Sequence, residues 1–221
     1  VTASDPSPSD SADLDPRFPD PDSRFVVEDG CARCPDLVDC RERISWGTGP
    51  RRARVVVVGE APGAGDPEED RWRGGNRTGM AYTTRHSGRR IRSLLAAVGH
   101  PDAYYTNAVK CFPREEGGES NREPTAEERA NCRAHLEAEL ERVAPEVVVT
   151  TGKHATATML AFDGRSLDGF LDAVLEPVEL DAFDATLLPV LHPSYQDVWV
   201  SRLGFSPEEY EAAIRERLPD P

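Results

Sequence analysis

A chain of 221 residues, 38% of them apolar, is long enough to bury the core of one three-layer domain with tails. It contains no run of eighteen apolar residues and starts without the apolar stretch of a secretion signal, so no membrane span or membrane partner is expected, and the expected location is the cytoplasm. Its 40 acidic residues against 26 basic ones give a formal charge of −14, which suits a concentrated-salt cytoplasm and argues at face value against nucleic acid, because carboxylates repel phosphates.

Residues 1–23 hold five prolines and six aspartates with almost no apolar content. Such a segment cannot bury enough surface to offset the entropy of ordering, so residues 1–24 are read as a disordered acidic tail and residues 25–221 as the domain. Cys31 and Cys34 follow, with the two-residue gap that lets two thiolates reach one metal centre. Arg54–Val58 is a β-branched run ending at Gly59, the pattern of a buried strand. Residues 60–87 form a long loop of little periodicity, a kind of segment that is usually functional in a compact domain.

From Arg71 to Pro101 there is no Asp or Glu but there are seven arginines: Arg71, Arg73, Arg77, Arg85, Arg89, Arg90 and Arg92. In so acidic a chain this segment is expected to face phosphate. The residues from Arg89 to Val98 read as a helix and those from Tyr104 to Val109 as a strand, closed by Cys111. Thr125 with Glu128 three residues on is a capping box, opening a helix that carries Cys132 and runs to about Val143. The residues from Glu146 to Thr150 form a strand and those from Lys153 to Leu160 a helix. A last buried strand from Thr186 to Leu191 ends at His192-Pro193, and Ser206 caps a final helix. Alternating strands and helices predict an α/β, three-layer αβα fold on a mainly parallel sheet, with ligands at the carboxyl ends of the strands. Glu60, Asn107, Gly152 and His192 fall at those ends.

Cys31, Cys34, Cys111 and Cys132 come from three segments and can close one site, pinning the N-terminal segment to the sheet. Zinc and an iron–sulphur cluster both accept four thiolates; zinc ribbons usually pair two tight knuckles, and the wide split of the second pair favours a cluster. Cys40 reads as a plain buried cysteine, and a cytoplasmic protein argues against disulfides.

Several motifs now stand in order. Gly59-Glu60-Ala61-Pro62-Gly63 resembles the first motif of the family 4 uracil-DNA glycosylases. The stretch Thr106-Asn107-Ala108-Val109-Lys110-Cys111, with Pro124-Thr125-Ala126-Glu127-Glu128 and Cys132, resembles that family's cluster-binding region. His192-Pro193-Ser194 resembles the superfamily's second motif. Gly75-Asn76-Arg77-Thr78-Gly79, Tyr82 and Ser87-Gly88 are closer to the family 5 branch. The resemblance spans residues 31 to 200 or so.

That resemblance implies a DNA repair glycosylase that flips uracil out of DNA and hydrolyses its N-glycosidic bond, with removal of other deaminated bases left open. It implies a [4Fe-4S] cluster on Cys31, Cys34, Cys111 and Cys132, and a substrate pocket bordered by Gly59, Glu60 and Ala61. It makes Tyr82 the aromatic stacked on the flipped base, Asn107 the residue that reads the base, and His192 the group at uracil O2. Where the family 5 pattern carries a carboxylate after the aromatic, this chain has Arg85, so Glu60, or less directly Asp66, is the replacement. DNA containing uracil is the expected partner, and the chain is expected to act as a monomer. Two other readings stay open: a protein of the same fold that binds lesions without turnover, and a zinc-stabilised nucleotide-processing enzyme.

Overall fold

The computed structural model describes residues 16–118 and 120–221. Residues 1–15, most of the expected tail, lie outside the described residues. Over 16–24 the expectation is corrected: Phe18 packs edge-on against Trp72 with ring centroids 5.0 Å apart, and Asp20 caps a 3₁₀ turn over Pro21–Ser23. An aromatic that finds a partner ring gains enough burial to offset ordering of the short segment around it.

Among the described residues seven strands form one sheet: β1 (Arg24–Phe25), β2 (Gly47–Thr48), β3 (Val55–Gly59), β4 (Tyr104–Asn107), β5 (Val147–Thr151), β6 (Val178–Leu180) and β7 (Ala185–Val190), in the order β1-β2-β4-β3-β5-β7-β6. The central four, β4-β3-β5-β7, are parallel. The short strands β1, β2 and β6, which the sequence reading missed, pair antiparallel, with β1 and β6 at the two edges. Two- and three-residue strands leave too little periodicity to be read from sequence.

Among the described residues there are eight α-helices: α1 (Pro35–Cys40), α2 (Gly75–Thr78), α3 (Ser87–Ala97), α4 (Ala126–Val143), α5 (Lys153–Leu160), α6 (Phe170–Ala173), α7 (Gln196–Trp199) and α8 (Pro207–Arg215). Successive valines of β3 supply both sides of the sheet. Val55 and Val57 join Ile91, Leu95 and Ile214 from α3 and α8 in one apolar cluster. Val56 and Val58 join Leu136, Leu140 and Met159 from α4 and α5 in the other. A strand buried on both faces must be apolar at every position, which is why the run does not alternate. The three-layer α/β expectation holds. Among the described residues no helix is long and apolar enough to cross a membrane.

The capping box forms as read: the Glu128 N–H donates to Thr125 Oγ1 (3.1 Å), and Glu128 Oε2 accepts from the Thr125 N–H (2.7 Å). It starts α4 at the point that sets Cys132 among the buried residues of that helix.

Candidate active site and cysteine centre

Side chains from the carboxyl ends of β3, β4, β5 and β7 meet in a cavity of about 680 Å³. Glu60 leaves β3, Asn107 ends β4, Thr151 and Gly152 end β5, and His192 follows β7. The loop 60–87 contributes Tyr82, Thr83 and Thr84. A hairpin insertion, held by the Arg114↔Asn121 bridge, contributes Asn121, Arg122 and Glu123.

Asn107 is 4% exposed, yet its Nδ2 has no hydrogen-bond partner. Oε1 of Glu60 is likewise buried and unpaired. Unpaired buried polar atoms are rare in folded proteins because each forfeits its hydration; two on one cavity mark groups kept for a ligand. His192 Nδ1 accepts the Ser194 N–H at 3.2 Å. Burial lowers the pKa of this imidazole, so near neutral pH it is uncharged, with its proton on Nε2 and free to be donated. Burial also raises the Glu60 carboxyl above its ordinary value of 4.5; His154 and Arg129 pull it back, and Glu123 adds to the rise.

Two glycines make the convergence possible. A Cβ on Gly59 would sit 2.5 Å from Asn107 Oδ1 and 2.6 Å from the Tyr82 hydroxyl; one on Gly152 would press on His192 Cβ at 3.3 Å. A Gly59→Ala protein should therefore fold but lose most of its activity, about tenfold or more, since the amide and the phenol are both displaced. Wild-type turnover by that variant in a steady-state assay would contradict this account of the site.

Tyr82 adopts a left-handed conformation (φ 54°), a strained one for a residue with a bulky side chain. Arg92 holds it there, donating to the Tyr82 carbonyl (3.0 Å), the Ala81 carbonyl (3.1 Å) and Thr48 Oγ1 (3.2 Å), while its guanidinium stacks 3.9 Å over the Tyr105 ring. Burial lowers the Arg92 pKa to about 10. The Tyr82 hydroxyl reaches Thr151 Oγ1 at 2.5 Å and fixes the ring from its other end.

The expected phosphate patch is thus corrected in part. Arg92 is buried scaffold. Arg77 pairs with Glu42 (2.8 Å), Arg85 with Glu69 (2.5 Å) and Arg90 with Asp197 (2.7 Å). Acids outside the acid-free segment neutralise these cations, which a segment-by-segment charge count does not see. Arg85, Arg89 and Arg90 do line a second groove of about 670 Å³, which shares Ser87 and Ser194 with the cavity. Arg85 does not enter the cavity, and neither does Asp66, whose exposed carboxylate accepts the Glu68 N–H at 2.9 Å. Of the two replacement carboxylates, Glu60 alone borders the cavity. Thr151 and the 121–123 wall were missed by sequence reasoning, which also gave Arg92 to the phosphate patch and not to the support of Tyr82.

On the far side of the Asn107 turn, Cys111 and Cys132 pack with Leu37 and Val109, and Cys34 lies against them. Arg41 donates to Cys111 Sγ (3.1 Å), Asn131 Nδ2 to Cys34 Sγ (3.5 Å), Arg33 to Cys31 Sγ (3.8 Å) and the Lys110 backbone N–H to Cys132. Burial raises the thiol pKa of Cys34 and Cys111, and that of Cys132 to about 11. Ionising them requires a cationic group in their midst, and the surrounding N–H donors suit thiolate ligands. Among the described residues no three of these sulphurs lie within 4.8 Å of one another, whereas one tetrahedral zinc would draw them to about 3.8 Å. Four such donors suit a thiolate-bound metal centre. Cys40 instead donates to the Phe112 carbonyl at 3.0 Å, satisfied as a thiol. Glu28, Cys31 and His135 form one mixed group close enough for a single ion, but Arg33 donates to both Glu28 and His135, placing a positive charge where the ion would sit.

The family model described as Uracil DNA glycosylase superfamily matches residues 46–217. A type-5 uracil-DNA glycosylase of Pyrobaculum aerophilum is 32% identical, covering 78% of this chain and 82% of its own length. A type-4 uracil-DNA glycosylase of Thermotoga maritima is 33% identical, covering 75% and 77%. A type-4 enzyme of Archaeoglobus fulgidus is 35% identical over 57% of this chain and 56% of its own. Both types match at nearly equal identity, and with a family match over residues 46–217 the chain belongs to the uracil DNA glycosylase superfamily.

Proposed function

We propose that this protein is a uracil-DNA glycosylase that excises uracil by hydrolysis of the N-glycosidic bond and leaves an abasic site. The observation that carries the reading is the meeting of an unpaired amide, an unpaired carboxylate and a neutral imidazole on one cavity. The flipped base stacks on Tyr82, which offsets part of an unstacking cost of a few kcal/mol, since stacking is worth about 1–3 kcal/mol per base. The Asn107 amide accepts from uracil N3–H and donates to O4; cytosine presents the reverse pattern and leaves buried groups unpaired.

As the glycosidic bond breaks, charge develops on uracil O2, where His192 Nε2–H donates to it. Glu60 orients the attacking water or stabilises the cationic sugar. It does so as a carboxylate, so the rate should rise with pH through its elevated pKa, giving an acid limb above 4.5 that Glu60→Gln abolishes. The linked stability has the opposite sign. The folded state favours the protonated carboxyl, so this contribution is present at low pH and lost as pH rises through that window. A pH–rate profile whose acid limb survives in Glu60→Gln would remove the carboxylate from this role.

Cys31, Cys34, Cys111 and Cys132 would hold a [4Fe-4S] cluster whose contribution is cross-linking, because hydrolysis moves no electron. The acidic surface reads as adaptation to concentrated salt, and the protein as a monomer acting on DNA that contains uracil. The deciding experiment is cleavage of a uracil-containing oligonucleotide in molar-level salt, with Asn107→Ala alongside. Abasic product from the parent and loss of most activity in the variant are expected. Tight binding without product would instead favour a lesion-binding protein.

A further inference from the structure

Lys110 is one of the two lysines in the chain and is 1% exposed. Its ammonium donates to Thr106 Oγ1 (2.7 Å), to the Asn107 carbonyl (2.7 Å) and to Glu139 Oε2 (2.6 Å), which uses all three of its protons. Glu139 has no exposed surface, accepts the Thr106 hydroxyl on the same oxygen, and takes the Gly47 N–H on the other (2.9 Å). It stands on α4 seven residues beyond Cys132, two helical turns along the same face. The Lys110 backbone N–H meets Cys132, and its carbonyl accepts the Ser45 N–H at 2.7 Å.

A fully buried ion pair is a costly way to hold a fold, often no better than apolar residues of the same volume. Nor does this pair face the cavity, where it could touch substrate. Its one contact with the candidate chemistry is the carbonyl of Asn107, the residue whose amide waits unpaired on the other side of the turn. We propose that the Lys110–Glu139 pair is a positioning element that aims Asn107, locking the 106–110 turn to the helix that bears Cys132. The inference rests on the base-reading role given to Asn107 above. The base reader and the cysteine centre then form one mechanical unit, and discrimination of uracil depends on a salt bridge that never touches it.

The test replaces the pair by apolar residues of similar volume, Lys110→Met with Glu139→Leu, in the parent and in an Asn107→Ala background. In the parent, kcat should fall about ten- to a hundredfold through misplacement of the amide. Affinity for an uncleavable 2′-fluoro-deoxyuridine oligonucleotide should fall about tenfold, while affinity for undamaged DNA and the absorbance near 400 nm (a rough position for thiolate-bound iron) stay as in the parent. In the Asn107→Ala background the same replacement should cost nothing further, because the residue being aimed is gone.

Parental kcat and uracil preference in the double variant would overturn the proposal, as would an equal loss on both backgrounds. If the double variant does not fold, Glu139→Gln, which keeps the shape and removes the charge, carries the same two comparisons: a lowered uracil preference supports the proposal and an unchanged one overturns it. Failure of the parent to cleave uracil would count against the glycosylase reading, and an active parent with an indifferent pair only against the coupling.

Discussion

A His192→Ala protein should excise uracil about 10²–10³-fold more slowly than the parent, with binding of uracil-containing DNA weakened far less. The size follows from what a single donor at a developing oxyanion is worth, about 2.7–4 kcal/mol. Charge grows on uracil O2 only as the bond breaks, so the loss belongs to kcat rather than to KM. The Ser194 N–H fixes Nδ1 as the acceptor and burial holds the ring neutral, so the one proton it carries is already aimed.

The same burial has a stability consequence. The folded pKa of His192 lies below the unfolded value of 6.5, so below that pH the unfolded chain takes up a proton that the folded chain refuses. Stability should fall with pH through that window, and by less in His192→Ala. Single-turnover rates with an unchanged chemical step in His192→Ala would remove the oxyanion role.

The second large effect is expected at Cys132. Cys132→Ser should abolish absorbance near 400 nm (rough position) and lower the melting temperature by roughly 10–20 °C. A cross-link closing about 100 residues is worth on the order of 4–5 kcal/mol, and each kcal/mol moves a domain of this size by about 2–4 °C. Cys40→Ser should do neither, because its thiol already serves the Phe112 carbonyl. Calorimetry and a visible spectrum on both variants decide it. A Cys132→Ser protein that keeps its colour and melting point would show that the thiolate centre is not closed by this residue.

The charge of the molecule and its action on DNA are reconciled by placement. Arg77, Arg85 and Arg90 spend their charge on Glu42, Glu69 and Asp197, which lie outside the acid-free segment. The groove along the N-terminal end of α3 shares Ser87 and Ser194 with the cavity, so its arginines lie beside the candidate site.

Sequence alone determined the layers and the chemistry-bearing types. The unbroken valines of β3 could only be a strand covered on both sides, and Thr125 with Glu128 could only open a helix, because both signals are local and periodic. The placement of Glu60, Asn107 and His192 at strand ends followed from the order of those elements. Tertiary structure decided what depends on contacts between distant segments. It turned Arg92 from a phosphate ligand into the clamp under Tyr82, left Asp66 and Arg85 outside the cavity, and packed Phe18 against Trp72. It also buried Lys110 against Glu139, 29 residues away in sequence. A charge count or a periodicity reports a residue's own neighbourhood along the chain; whether a cation meets an anion, a carbonyl or water is fixed only when the sheet and helices close around it.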